Sequence, residues 1–156
     1  MKVLMVCLGN ICRSPLAEGI LKHKTQKSGL NWHVDSAGTG DWHVGELPDK
    51  RSIAVAKKYG IDITDQRARH FKRHDLDAFD LVLVMDKENY QDVLRHAKSE
   101  EQRQKIQLIM DFVHPKSYAI VPDPYYDNSF ELAYQLLDKA CDAIVETYTK
   151  NEAQID

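Results

Sequence analysis

Val3-Leu4-Met5-Val6-Cys7-Leu8-Gly9-Asn10-Ile11-Cys12-Arg13-Ser14-Pro15 is the stretch from which the rest of the chain is read. Lys2 to Val6 is a short apolar run with β-branched residues, bounded by Gly9 and Asn10, which predicts a strand buried on both faces. The strand ends on a thiol. Arg13 and Ser14 follow after five residues, and then comes Pro15, whose fixed φ and missing N–H suit the first position of a helix. Cys7 is thus expected to face the open N-terminus of that helix.

Such an arrangement is a cup for an oxyanion. A helix N-terminus offers unpaired N–H groups and a partial positive charge, and a loop curling over it adds further amides. Arg13 can grip two oxygens of a phosphate with its planar fork. The same field favours a thiolate at Cys7. Gly9 accepts positive φ freely and Asn10 tolerates it, as a loop with inward amides requires. A lone cysteine at a strand end is ordinarily packing. Cys-x5-Arg-Ser between an apolar strand and a proline-initiated helix is a more demanding combination, and it points to a nucleophile. A Walker loop is excluded because Gly-Lys-Ser/Thr is absent, and Gly38-Thr39-Gly40 is too short for a dinucleotide fingerprint.

Outward from the loop, strands and helices alternate. Ser14 to about Ser28 is predicted to be an amphipathic helix stopped by Gly29. Trp32 to Ala37 follows as a strand, and Asp49 to Tyr59 as a surface helix closed by Gly60. Thr64-Asp65 could open a short helix through Phe71. Leu81 to Met85 is a continuous apolar run, hence a central strand, followed by a helix from Asp86 to about Ala97. Ile106 to Met110 is a fourth strand. Phe130 to about Lys150 is the clearest helix, with Phe130, Ala133, Tyr134, Leu137, Ala140, Cys141, Ile144, Val145 and Tyr148 on one stripe. Cys141 is therefore expected in the core. The pattern implies an α/β protein with an open, mostly parallel sheet, helices on both faces and a site at the carboxyl ends of the strands.

Composition bounds the possible functions. The 156 residues suit one domain, 1–156, and 43% hydrophobic with 29% charged residues is ordinary for a folded protein. A net charge of -3 supplies no basic excess for general nucleic-acid binding. Three cysteines, Cys7, Cys12 and Cys141, do not suggest a disulfide framework, so a reducing, cytoplasmic setting is expected. No stretch approaches membrane-spanning length. No Cys or His pair shows the spacing of a zinc site. The run Arg67, Arg69, His70, Lys72, Arg73 and His74 reads as a solvated face, or as an attractor of anionic substrates.

A thiolate that displaces an alkoxide or phenoxide from phosphorus needs an acid beside it. Asp41, Asp86 and Asp123 all stand in or beside loops, and no spacing selects among them. Asp123 has some local support, because the prolines on either side stiffen its loop.

Val6 to Pro15 resembles the phosphate-binding loop of the low-molecular-weight protein tyrosine phosphatases. The likeness extends to Asp35-Ser36-Ala37-Gly38-Thr39, Met85-Asp86 and Asp123-Pro124-Tyr125-Tyr126, in the family's order and with similar spacing. The resemblance implies a single-domain, four-stranded parallel sheet with the phosphate-binding loop after the first strand. It implies hydrolysis of protein phosphotyrosine and small aryl phosphates through a cysteinyl-phosphate, without metal or cofactor, releasing inorganic phosphate. Cys7 would be the nucleophile, Arg13 the phosphate ligand and Asp123 the general acid and base. Leu8, Gly9, Asn10, Ile11 and Cys12 would form the loop, Ser14 would stabilise the thiolate, and Asn10 with Ser36 would hold the loop's shape. Leu8, Trp42 and Tyr125 would wall a slot for an aromatic ring. Cys12 would either pack or form a disulfide with an oxidised Cys7. Phosphotyrosine proteins are the expected partners, a monomer is the default state, and Tyr125 and Tyr126 could themselves carry phosphate.

Three rivals remain. Thioredoxin-coupled arsenate reductases resemble this loop but carry two further cysteines, where this chain has only Cys141. Protein arginine phosphatases resemble it with Thr in place of Ile11. An anion-binding module could use the same cup without needing a reactive thiol.

Overall fold

The computed structural model describes residues 1–117 and 119–155, with side chains described through residue 150. The elements follow in the order β1 (Lys2–Cys7), α1 (Arg13–Lys27), β2 (His33–Gly38), α2 (Lys50–Lys58), α3 (Asp75–Ala78), β3 (Leu81–Val84), α4 (Lys87–Leu94), α5 (Glu100–Lys105), β4 (Ile106–Leu108) and α6 (Phe130–Ile155), with a 3₁₀ turn at Ile109–Phe112 after β4. The four strands form one sheet in the order β2-β1-β3-β4. Every pairing is parallel, with Cys7 opposite Gly38 and Val6 opposite Val84. The chain leaves β1 to one side for β2 and then crosses to the other side for β3. That reversal opens a crevice at the carboxyl ends of β1 and β3, where an α/β sheet binds ligands. The loop after Cys7 sits at this position.

Two-sided burial explains the unbroken apolar strands. Val3, Met5, Leu81 and Leu83 pack with Leu16, Ile20, Leu137 and Ile144 of α1 and α6 on one face. Leu4, Val6, Val82 and Val84 pack with Phe71, Leu76, Phe79 and Val93 on the other. Burying each of these aliphatic side chains contributes about 1.5–3 kcal/mol, so β1 anchors both cores. Cys141 is fully buried on the apolar stripe of α6, as expected. Among the described residues, no helix is long and apolar enough to cross a membrane.

The sequence reading is corrected in several places. α1 is not amphipathic over its first half, because Arg13 through Leu21 are all buried between sheet, α6 and loops. Pro15 is its third residue, still within the turn whose N–H groups have no helical partner. Residues 64–71 form no helix. His70 instead bridges to Gly38 at the end of β2, because the Gly38 amide donates to the Arg69 carbonyl and the Phe71 amide to that of Gly38. Asp49 and Asp86 cap α2 and α4 rather than belonging to them, accepting from the amides of Arg51 and Asn89. β4 is only three residues long, and α5, capped by Ser99, was not anticipated.

Candidate active site

Residues 8 to 12 run from the end of β1 to the start of α1, and their carbonyls are tied outward. The amides of Thr39 and Gly40 donate to the carbonyls of Cys7 and Leu8, each at 2.9 Å. The Asp49 amide donates to the Ile11 carbonyl at 2.7 Å, and Ser52 Oγ to that of Cys12 at 3.3 Å. Among the described residues, no backbone amide from Gly9 to Arg13 donates to another protein group. The N-terminus of α1 also lacks a side-chain cap. Unpaired amides of this kind are what the sequence reading expects of an oxyanion cup. Asn10 turns the loop with φ of 57°. Gly38 lies directly beneath it, where a Cβ would come within 2.9 Å of the Leu8 carbonyl oxygen and 3.1 Å of the Asn10 amide nitrogen.

Side chains lock the loop from behind. Asn10 Oδ1 accepts from the Arg69 amide at 2.9 Å, while Asn10 Nδ2 donates to Ser14 Oγ at 2.8 Å and Ser36 Oγ at 3.0 Å. Ser14 Oγ lies 2.9 Å from Cys7 Sγ. Ser36 Oγ donates to Glu18 Oε1 at 2.7 Å, and Lys22 Nζ to Glu18 Oε2 at 2.6 Å. Asn10, Ser14, Ser36 and Glu18 are all buried. They stand behind the cavity rather than lining it, which agrees with a role in holding the loop.

In front, Cys7, Leu8, Gly9, Ile11, Cys12 and Arg13 form the floor of a cavity of about 300 Å³, and Trp42, His43, Asp123, Tyr125 and Tyr126 form its sides. Arg13 is buried, and its Nη1 donates to Asp86 Oδ2 at 2.6 Å and to the Val121 carbonyl at 2.9 Å. Arg13 Nη2 stands 3.7 Å from Asp123 Oδ2. Burial opposes the charge on this guanidinium, but Cys7, Asp86 and Asp123 outweigh it and hold the group above its ordinary value. Cys12 behaves differently. Burial, with the nearby charges of Asp49, Cys7 and Asp123, pushes its thiol up to about 12, so it is neutral near pH 7.

Of the three carboxylates the sequence left open, Asp123 lines the cavity. Asp86 has both oxygens engaged, by Arg13 and by the Asn89 amide, and Asp41 is exposed outside the lining. Sequence reasoning named Asp86 as a candidate acid but not as the anchor of Arg13, and it missed the anchors Arg69, Asp49 and Glu18 and the wall residue His43, whose ring pairs with Glu46. Arg69 belongs to a predicted solvated face, yet it bridges Asp35 and Asp75, the latter buried. Burial opposes its charge and the two carboxylates raise it. Asp86 stood out through its place at a strand end, but a glutamate inside a helix carries no such signal. Among the described residues, no group of three His, Cys, Asp or Glu could hold a metal ion.

Comparisons with known proteins agree over the whole length. A model of the family described as "Low molecular weight phosphotyrosine protein phosphatase" matches residues 2–154. The low molecular weight protein-tyrosine-phosphatase YfkJ of Bacillus subtilis is 38% identical over 152 residues, covering 96% of this chain and 97% of its own. Its crystal structure superposes with a TM-score of 0.91 over 97% of this chain and 96% of that one. A low molecular weight phosphotyrosine protein phosphatase of Schizosaccharomyces pombe is 43% identical over 131 residues, covering 82% of this chain and 83% of that one. A Drosophila arginine phosphatase superposes with a TM-score of 0.88 at 36% identity, over 95% of this chain and 98% of that one.

Proposed function

The chain belongs to the low molecular weight phosphotyrosine protein phosphatase family, and from that premise we propose that it hydrolyses phosphotyrosine in proteins, and small aryl phosphates, through a cysteinyl-phosphate. The observation that carries this reading is the meeting in one cavity of Cys7, Arg13 and Asp123, with Asp123 alone among the candidate carboxylates on the cavity wall. The phosphate occupies the cup of amides, with Arg13 on its oxygens, and Cys7 attacks phosphorus opposite the phenolic oxygen. The P–O bond breaks as the S–P bond forms, and protonated Asp123 gives its proton to the leaving phenolate. Asp123, now a carboxylate, takes a proton from water as the oxygen of that water displaces sulfur. Phosphate and the thiolate are released.

No step calls for a metal, and every group used comes from one chain. Ser14 supports the thiolate, and Asn10 with Ser36 keeps the loop open. Leu8, Trp42 and Tyr125 flank the aromatic ring, giving it an apolar slot that an alkyl phosphate would not fill. Cys7, Cys12 and Cys141 are free thiols, which suits work in a reducing compartment such as the cytoplasm.

The likeness to a Drosophila arginine phosphatase keeps a second substrate in view. Ile11 on the cavity floor offers no hydroxyl to a phosphoguanidinium, and the aromatic walls favour a phenyl ring. Hydrolysis of phosphotyrosine, phosphoserine and phosphoarginine peptides in EDTA, by wild type and Cys7→Ser, separates the cases. Cys7-dependent release from phosphotyrosine alone is expected. Release mainly from phosphoarginine would keep the mechanism and overturn the specificity.

A further inference from the structure

The mechanism leaves the buried carboxyl of Glu18 unused. Glu18 on α1 is 3% exposed and faces Ser36, two hydrogen bonds away from the loop and four from Cys7. Burial pushes its carboxyl up, while Lys22 and Ser36 pull it back by hydrogen bonding. A buried carboxylate near a site that must hold a thiolate and a phosphate is electrostatically unfavourable, so its presence calls for a reason.

The reason lies in which way each proton points. The Arg69 amide can only donate, so Asn10 must present Oδ1 to it and its NH2 group to the two serines. Both serine oxygens then accept from Asn10, and each hydroxyl proton must go elsewhere. Ser36 gives its proton to Glu18. Ser14 is left with Cys7 Sγ as the acceptor of its own. An unbonded Ser36 hydroxyl would instead compete for an acceptor on Asn10, and turning that amide around would draw the Ser14 proton away from sulfur.

We infer that Glu18 is a positioning residue: by accepting the Ser36 proton at 2.7 Å it fixes the polarity of the hydrogen bonds running to Cys7, so that Ser14 donates to the sulfur. The inference rests on the proposed role of Cys7 as nucleophile. The other charges in reach are Lys22 and Asp35 around Glu18, Arg13 and Cys12 around Cys7, and Asp123 in the same cavity.

The sign of one measurement decides it. Simple electrostatics says that deleting a carboxylate makes a neighbouring thiolate easier to form. Loss of hydrogen-bond direction says the opposite. The pH dependence of iodoacetamide alkylation of Cys7 is compared in wild type, Glu18→Ala and Glu18→Gln. In Glu18→Ala the midpoint is expected to move to higher pH by roughly 0.5 to 1, with kcat lower by about fivefold to tenfold and KM little changed, the worth of one directed hydrogen bond. Glu18→Gln keeps an acceptor oxygen for Ser36 and should titrate near wild type. If Glu18→Ala fails to fold, Glu18→Leu, which fills the space but also leaves the Ser36 hydroxyl without its acceptor, should show the upward move. A midpoint unchanged or lower in a folded Glu18→Ala variant overturns the proposal, as does a Glu18→Gln variant that shifts as far as Glu18→Ala. Alkylation reads the thiol and not hydrolysis. An inactive wild-type protein would therefore sink the proposed function while leaving this comparison standing.

Discussion

The floor and the rim of the cavity are built on opposite plans. On the floor and directly behind it, Cys7, Asn10, Arg13 and Ser14 are at most 3% exposed, and Asn10, Arg13 and Ser14 each take part in two or more hydrogen bonds or ion pairs. On the rim, Trp42 is 62% and Tyr126 80% exposed, with Val44 and Leu47 open beside them. Tyr125 is steadied by the Arg51 guanidinium, 5.5 Å from its ring centroid, and the Arg51 side chain is itself tied to Asp49. The lesson is a division of labour. On the proposed mechanism, the groups that would match a transition state are buried and hydrogen-bonded, whereas those that would meet the rest of the substrate are largely open to solvent.

Substitutions test that division, and the floor, together with Asp123 on the wall above it, should give the largest effects on kcat. Cys7→Ser is expected to reduce turnover to background, since no other thiol lines the cavity except the neutral Cys12; a turning-over variant in a phosphotyrosine assay would break the scheme. Asp123→Asn should lower kcat for phosphotyrosine by about 10²–10⁴ and much less for an aryl phosphate with an acidic phenol, which steady-state kinetics on the two substrates would compare. Arg13→Lys keeps charge but loses the fork that serves Asp86 and Val121, and a fall of about 10²–10³ is expected in the same assay.

The rim should speak through KM. Trp42→Ala is expected to raise KM for phosphotyrosine peptides by about tenfold with kcat within about twofold, as loss of one buried aromatic contact would do. A kcat that fell as far as KM rose would erase the distinction between floor and rim. The smallest effect concerns Asp49, which caps α2 and whose amide holds the Ile11 carbonyl. Hydrogen bonding from Arg51 keeps its carboxyl below the usual range, against the pull of burial. A lowered folded value means stability present above the unfolded titration and lost as pH falls through the folded one. Urea unfolding should therefore show Asp49→Ala weaker than wild type by about 0.5–2 kcal/mol at pH 7, with the gap shrinking below about pH 4.

The contrast also explains what could be read from residues alone. The floor is contiguous in sequence, so Cys7, Arg13 and the strand before them announced themselves by spacing and patterning. So did the paired faces of β1 and β3, where unbroken apolar runs follow from two-sided burial. What holds the floor is not contiguous. Glu18 looks like any helical glutamate until Ser36, 18 residues on, is folded against it. Arg69 read as surface because its partners Asp35 and Asp75 are supplied by distant segments. The helix expected over 64–71 failed for the same reason, since pairing with Gly38 draws that segment out. For Asp123 over Asp86 the residues alone offered only flanking prolines, with the family resemblance beside them; the fold adds that both oxygens of Asp86 are occupied.

That double occupancy has a spectroscopic consequence. Asp86 spends Oδ2 on Arg13 and Oδ1 on the amide of Asn89, at 2.8 Å in the first turn of α4. Any oxyanion that draws the Arg13 guanidinium toward itself alters the charge on the carboxylate that the Asn89 proton senses. The amide resonance of Asn89, a residue outside the cavity lining, thus becomes a built-in gauge of occupancy, readable in a proton–nitrogen spectrum without a labelled ligand.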